Sequence, residues 1–168
     1  MPLQMNMKID GVTGDSKSFK HKGWFDVLSW NWGMTSNRKT SKGADGEKTS
    51  LNELSIIKSI GNDSTDIRSL FAKGKIIPSV EFSILPAVAK REVQTKYLDI
   101  RLEDVVIKSI VTGGSSEDAF FKEHVTLLFD RVSFNFSQES ARRVEDANDM
   151  SAGTGFNWNV TESMEWKH

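Results

Sequence analysis

Alternation of apolar and polar side chains with a period of two recurs along the whole chain, and it restricts the fold more than any other feature. Leu3, Met5, Met7 and Ile9 are set against Gln4, Asn6, Lys8 and Asp10, the pattern of a strand with one face buried. The same alternation appears in Leu28, Trp30 and Trp32, in Val80, Phe82 and Ile84, in Leu98, Ile100 and Leu102, and in Phe156, Trp158 and Val160. Strands spread over 168 residues predict one all-β domain covering 1–168, a small barrel or sandwich of two sheets.

Two runs, about 96–111 and 122–137, exceed the usual strand length. In the second, apolar parity flips between Val125, Leu127, Phe129 and Val132, Phe134, Phe136. A bulge near Asp130 and Arg131 would restore the inward facing, and strands this long can serve two sheets at once. One segment reads as a helix, Thr65 to Lys73, capped by Asp63 or Ser64 and closed by Gly74 in a left-handed conformation. Ile67, Leu70 and Phe71 form its expected buried stripe. Two polar stretches, 33–50 and 138–153, read as long loops.

Composition removes several function classes. With no cysteine and three histidines, His21, His124 and His168, thiolate metal sites and disulfides are excluded and a structural zinc site has too few ligands. A formal net charge of −1 without a long basic block argues against nucleic-acid binding. The first residues lack a cationic segment followed by an apolar one, and no stretch is long enough to span a bilayer as a helix. Synthesis and folding in the cytoplasm are expected, with any export by a leaderless route.

The text Gly43-Ala44-Asp45-Gly46-Glu47-Lys48-Thr49-Ser50 resembles a phosphate loop, but the glycines are too close and Lys48 does not follow one. Neither a nucleophile elbow nor a paired-histidine metalloprotease motif occurs, so no enzyme activity and no cofactor are expected. His124 falls in the polar register of a strand and His21 ends a polar turn, so solvation or hydrogen bonding explains both. Trp30, Trp32 and Trp158 alternate with polar residues and read as core, together with Phe82, Leu127 and Phe129.

Several short stretches, in order and with matching spacing, are similar to the haemolysin-coregulated protein family, the inner-tube subunits of type VI secretion. They are Lys8-Ile9-Asp10-Gly11 with Gly14-Asp15-Ser16 and His21; Val27-Leu28-Ser29-Trp30-Asn31-Trp32-Gly33; Gly74-Lys75 with Pro78; Thr112-Gly113-Gly114-Ser115; Glu123-x-Val125-x-Leu127-x-Phe129; and Trp158-Asn159-Val160. Thr65 stands where the family often has a proline, and Asn157 where it often has a glycine. The sequence runs only a few residues past the last expected strand, so a fused toxin of the kind some members carry is not expected.

The resemblance implies a β-barrel with one flanking helix, six copies in a ring, and rings stacked into a tube. Its implied partners are further copies of itself, a spike protein at the tip, a contractile sheath and small effectors in the lumen, with neither nucleic acid nor membrane insertion. Val27, Ser29 and Asn31 alternate with core residues and are candidates for the lumen wall. The 33–50 loop, carrying Arg38, Lys39, Lys42, Asp45, Glu47 and Lys48, is the candidate ring-stacking element. The rival expectation is a monomeric β-sandwich that binds carbohydrate through an exposed Trp24 or Trp166.

Overall fold

The computed structural model describes residues 3–36, 49–86, 98–137, 153–160 and 164–165. In chain order the elements are β1 (Leu3–Ile9), β2 (Phe25–Asp26), β3 (Ser29–Asn31), β4 (Met34–Ser36), β5 (Thr49–Leu51), β6 (Leu54–Ser59), α1 (Asp63–Lys73), β7 (Ile77–Pro86), β8 (Leu98–Gly113), β9 (Lys122–Leu128), β10 (Arg131–Ser137), β11 (Gly153–Asn159) and β12 (Met164–Glu165). One antiparallel sheet has the order β12-β11-β10-β8-β7-β1-β2; a second runs β3-β6-β9-β8, and β4 pairs with β5 as a separate ribbon. Period-two alternation puts the apolar face of each sheet inward. Met7, Ile9, Phe82, Ile100 and Leu102 of the first sheet and Leu54, Ile56, Val125 and Leu127 of the second belong to one buried cluster.

β8 joins the two sheets. Its first half pairs with β7 and β10, its second half with β9. A strand that turns a corner must re-aim its side chains, and here inward parity passes from Leu98, Ile100 and Leu102 to Val105 and Ile107. Asp104 makes the change, with φ of 52° in the left-handed region that a short polar side chain tolerates best after glycine. Arg131 braces the corner, with guanidinium nitrogens 3.4 Å from Glu103 and 3.1 Å from Asp104.

The run 122–137 behaves differently from expectation. No bulge sits within one ladder at Asp130 and Arg131; β9 stops at Leu128, β10 starts at Arg131, and the two strands lie in different sheets. Changing sheets supplies the parity flip, with Val125, Leu127, Phe129 and Val132 all buried. The expected strand through Leu28, Trp30 and Trp32 is likewise divided. The Val27 N–H donates to Met5 O in the first sheet and the next residue, Leu28, donates to Ile57 O in the second.

α1 begins two residues earlier than expected, with Asn62 as N-cap and no side-chain capping bond. Asp63 and Ser64 cannot cap because both are inside the helix and committed to buried partners described below. Gly74 closes the helix with φ of 60°, as expected, its N–H reaching back to Leu70 and Phe71 carbonyls. Ile67 is fully buried and Leu70 packs against the core, but Phe71 is exposed, which corrects the expected stripe. The buried face is Asp63, Ser64 and Ile67, because α1 docks through polar as well as apolar side chains.

The 33–50 stretch is also not all loop. Met34, Thr35 and Ser36 pair with Leu51, Ser50 and Thr49. Alternation does not announce this ribbon because one face must be buried for the pattern to appear, and Met34 stays exposed. Most of the 138–153 stretch lies outside the described residues; Gly153 opens β11. β6 was not anticipated, since Lys58 occupies an inward position after Leu54 and Ile56 and breaks the pattern.

Candidate assembly surfaces

Three kinds of surface are built on this frame: sheet edges, the outer face of the second sheet, and the far end of the β8–β9 hairpin. The edges are short. β2 and β12 end the first sheet with two residues each, and β3 ends the second with three. Short edges limit uncontrolled pairing with other chains.

On the outer face of the second sheet, cross-strand registers align Ser29, Ile57, His124 and Val111 in one row and Asn31, Ser55, Thr126 and Ser109 in the next. Neither row holds a carboxylate. The Ser55 and Thr126 hydroxyls lie 3.5 Å apart, and the face is mainly hydroxyl and amide groups. Ser29, Asn31 and His124 are exposed, whereas Val27 is 5% exposed in the core. Val27 is therefore removed from the candidate wall: it precedes the switch between sheets, and its parity belongs to β2.

Beneath the β9 end of this sheet lies a buried ionic cluster that sequence reasoning missed. Lys58 and Glu123, each 1% exposed, are cross-strand neighbours with Nζ 2.7 Å from Oε1. Lys58 also lies 2.7 Å from Asp63 Oδ2 and donates to Ser59 O and Ser64 Oγ. The Ser64 hydroxyl donates to Glu123 Oε1 at 2.7 Å, and Arg68 Nη1 donates to Oε2 at 2.8 Å. Arg68 Nη2 reaches Thr112 Oγ1, so one guanidinium joins α1, β8 and β9. Lys58 further lies 5.4 Å from the Phe25 ring centroid.

Burial pushes the Glu123 carboxyl up, but the hydrogen bond and charge of Lys58, with Ser64 and Arg68, outweigh it and hold the group below its usual range. Asp63 goes the other way: burial, with Asp15 adding, outweighs Lys58 and raises its carboxyl. The sequence signal was two opposite charges in inward registers, Lys58 after Leu54 and Ile56, Glu123 before Val125 and Leu127. Only pairing of β6 with β9 makes them partners.

Of the residues expected in the core, Phe82 and Leu127 are fully buried and Phe129 nearly so. Trp30, Trp32 and Trp158 are half-buried against the core, Trp30 edge-on to Phe82 at 5.5 Å and Trp32 to Phe129 at 6.4 Å. Trp158 stacks on Phe156 at 6.0 Å. Trp24 is half-buried, with the His21 ring set edge-on at 4.4 Å. Buried His21 lies 3.3 Å from Ser18 Oγ through Nδ1. Trp166 and the candidate stacking residues Arg38, Lys39, Lys42, Asp45, Glu47 and Lys48 lie outside the described residues. Among the described residues no helix is long and apolar enough to cross a membrane, and no group of three His, Asp or Glu could hold a metal ion.

Comparison with known proteins agrees with this architecture. Residues 6–140 match the family described as type VI secretion system effector, Hcp. Protein hcp1 of Pseudomonas aeruginosa is 30% identical over 167 residues, covering 98% of this chain and 99% of its own. The crystal structure of Hcp1 from Salmonella typhimurium superposes with a TM-score of 0.79 at 24% identity, covering 99% of this chain and 100% of that one. A type VI secretion system effector from Yersinia pestis gives 0.71 at 25% identity, with 93% and 99% covered. With the family matched over most of its length and its relatives' fold reproduced from end to end, the chain belongs to the Hcp family of type VI secretion tube proteins.

Proposed function

We propose that this subunit closes with five copies into a ring, and that rings stack head to tail into a conduit inside a contractile sheath. The outer face of the second sheet bounds the lumen. The observation that carries the reading is that face itself: two ordered rows in which hydroxyl, amide and imidazole groups stand with Ile57 and Val111, and neither row holds a carboxylate. Such a wall hydrogen-bonds weakly with many polar surfaces and strongly with none, which suits transient retention of small effectors. Ser29 and Asn31 lie in it, while Val27 contributes to the core. A spike protein caps the tube, and tube and cargo leave the cell together.

In this reading the work is done by surfaces. Closed rings also explain the short edges, since a heterologous contact that closes covers each edge with the next copy. Size-exclusion chromatography with light scattering tests the reading. A mass six times that of the subunit is expected at micromolar concentration, and monomers alone would overturn it.

A further inference from the structure

One side chain in the two rows on the outer face of the second sheet can change its charge near neutral pH, and the strand registers fix where it stands. His124, on β9, lies opposite Ile57 of β6 and Val111 of β8. Thr126, Ser55 and Ser109 follow in the adjoining row and carry hydroxyls only. His124 is exposed, Ile57 is half-buried and Val111 is 62% exposed. Directly opposed side chains sit about 5 Å apart. The imidazole therefore stands between two aliphatic groups that neither donate nor accept a hydrogen bond.

The charges around it are few and already engaged. On β9 itself Lys122, two residues earlier on the same face, holds Nζ over the Phe120 ring at 5.7 Å. Beyond the hydroxyl row, Glu53, just before β6, and Lys108 of β8 are ion-paired with each other. The opposite face of the sheet carries Lys58 and Arg68 against Asp63 and Glu123, a formal +2 − 2 = 0. Each of these carboxylates has a lysine or arginine as partner, and none is paired with His124.

Imidazole gains its proton between about pH 8 and pH 5. While neutral, His124 leaves its row uncharged. Once protonated, it places a cation there with no carboxylate in either row to offset it, and six copies in a ring repeat the change at one level. A wall of one sign with low-polarity neighbours concentrates ligands of the other sign. We infer that His124 makes the wall a pH-dependent holder of acidic cargo: retention of a polypeptide with a carboxylate-rich surface strengthens as pH falls through the neutral range. Lys122 contributes a fixed cation, and His124 contributes the part that responds. This rests on the tube reading and adds the class of cargo and its control.

The probe is a rhodamine-labelled peptide of ten glutamates, followed by fluorescence anisotropy at fixed ionic strength. Between pH 8 and pH 6 its affinity for the natural chain is expected to rise roughly tenfold, and added salt should erase most of the gain. His124→Gln leaves His21 and His168 in place and should hold the change within about twofold. His124→Lys should bind tightly at both pH values. No gain in the natural chain, or a gain that survives in His124→Gln, would overturn the inference and leave the tube standing. The tube reading is checked on the same material. Light scattering establishes rings, and because the chain has no cysteine, rings of a His124→Cys variant report access to the wall. A small maleimide should modify every subunit, and a maleimide carried on a long polymer only a fraction of them. Monomers, or complete modification by the long reagent, would overturn the lumen reading itself.

Discussion

Glu123→Gln is the sharpest probe of what holds α1 to the barrel. The change is nearly isosteric, yet it removes the one carboxylate that Lys58, Ser64 and Arg68 share. Breaking a buried pair from one side costs about 3–5 kcal/mol, because the remaining charge stays buried without its counter-ion. Asp63 still faces Lys58 at 2.7 Å and Gln retains one acceptor, so the lower end, about 3 kcal/mol, is expected. For a chain of this length that lowers the melting temperature by roughly 6–12 °C. The pH dependence carries the sign. Glu123 titrates lower folded than unfolded, so its contribution is present above the unfolded value, about 4.3, and is lost as pH falls through the folded one. Asp63 titrates higher folded, so it costs stability above its folded value and that cost disappears on acidification. The gap between natural protein and variant should therefore be largest near neutral pH and shrink below about pH 4. Urea unfolding followed by tryptophan fluorescence, at fixed protein concentration because association adds to apparent stability, measures it. A gap under about 1 kcal/mol at pH 7, the range of exposed ion pairs, or one that does not change with pH, would refute the reasoning.

Val27→Ser should cost about 2 kcal/mol by hollowing the core, whereas Asn31→Gln, on the exposed face, should stay within about 0.5 kcal/mol and leave ring mass unchanged while altering cargo retention; equal stability effects would restore Val27 to the wall. At the corner of β8, Asp104→Val should cost about 2 kcal/mol or more, since a β-branched residue at φ of 52° is strained, and Asp104→Gly should cost less than half as much, with chemical-denaturation midpoints deciding between relief of strain and loss of the Arg131 contact.

The strands were legible wherever one face is buried, because burial on one face writes a period of two into the sequence. β1, β7 and the first half of β8 could be read from Leu3 to Ile9, Val80 to Ile84 and Leu98 to Leu102. The ribbon was not, since neither face of Met34–Ser36 is packed into the core. β6 was hidden for the opposite reason: its inward register ends on Lys58, a residue that reads as solvent-facing until Glu123 is placed beside it. The N-terminal boundary of α1 was misplaced because Asp63 and Ser64 look like caps in isolation. Their side chains turn instead to Lys58 and Glu123, far away in sequence.

By itself the sequence determined the all-β class, the inward residues of the regular strands, the left-handed helix end at Gly74, and family membership through short motifs in order. Each is local, set by alternation, by one residue's backbone freedom or by a run of neighbours. Tertiary structure alone decided where the chain changes sheets, at Val27–Leu28, Asp104 and Phe129–Asp130, and thereby which side chains of a continuous run face in or out. It also decided that Lys58 and Glu123 meet and that His124 stands between Ile57 and Val111 on the outer face. The physical reason is that pairing register is a long-range property: a strand's own residues state that it has a buried face, and only its partner states which sheet that face belongs to.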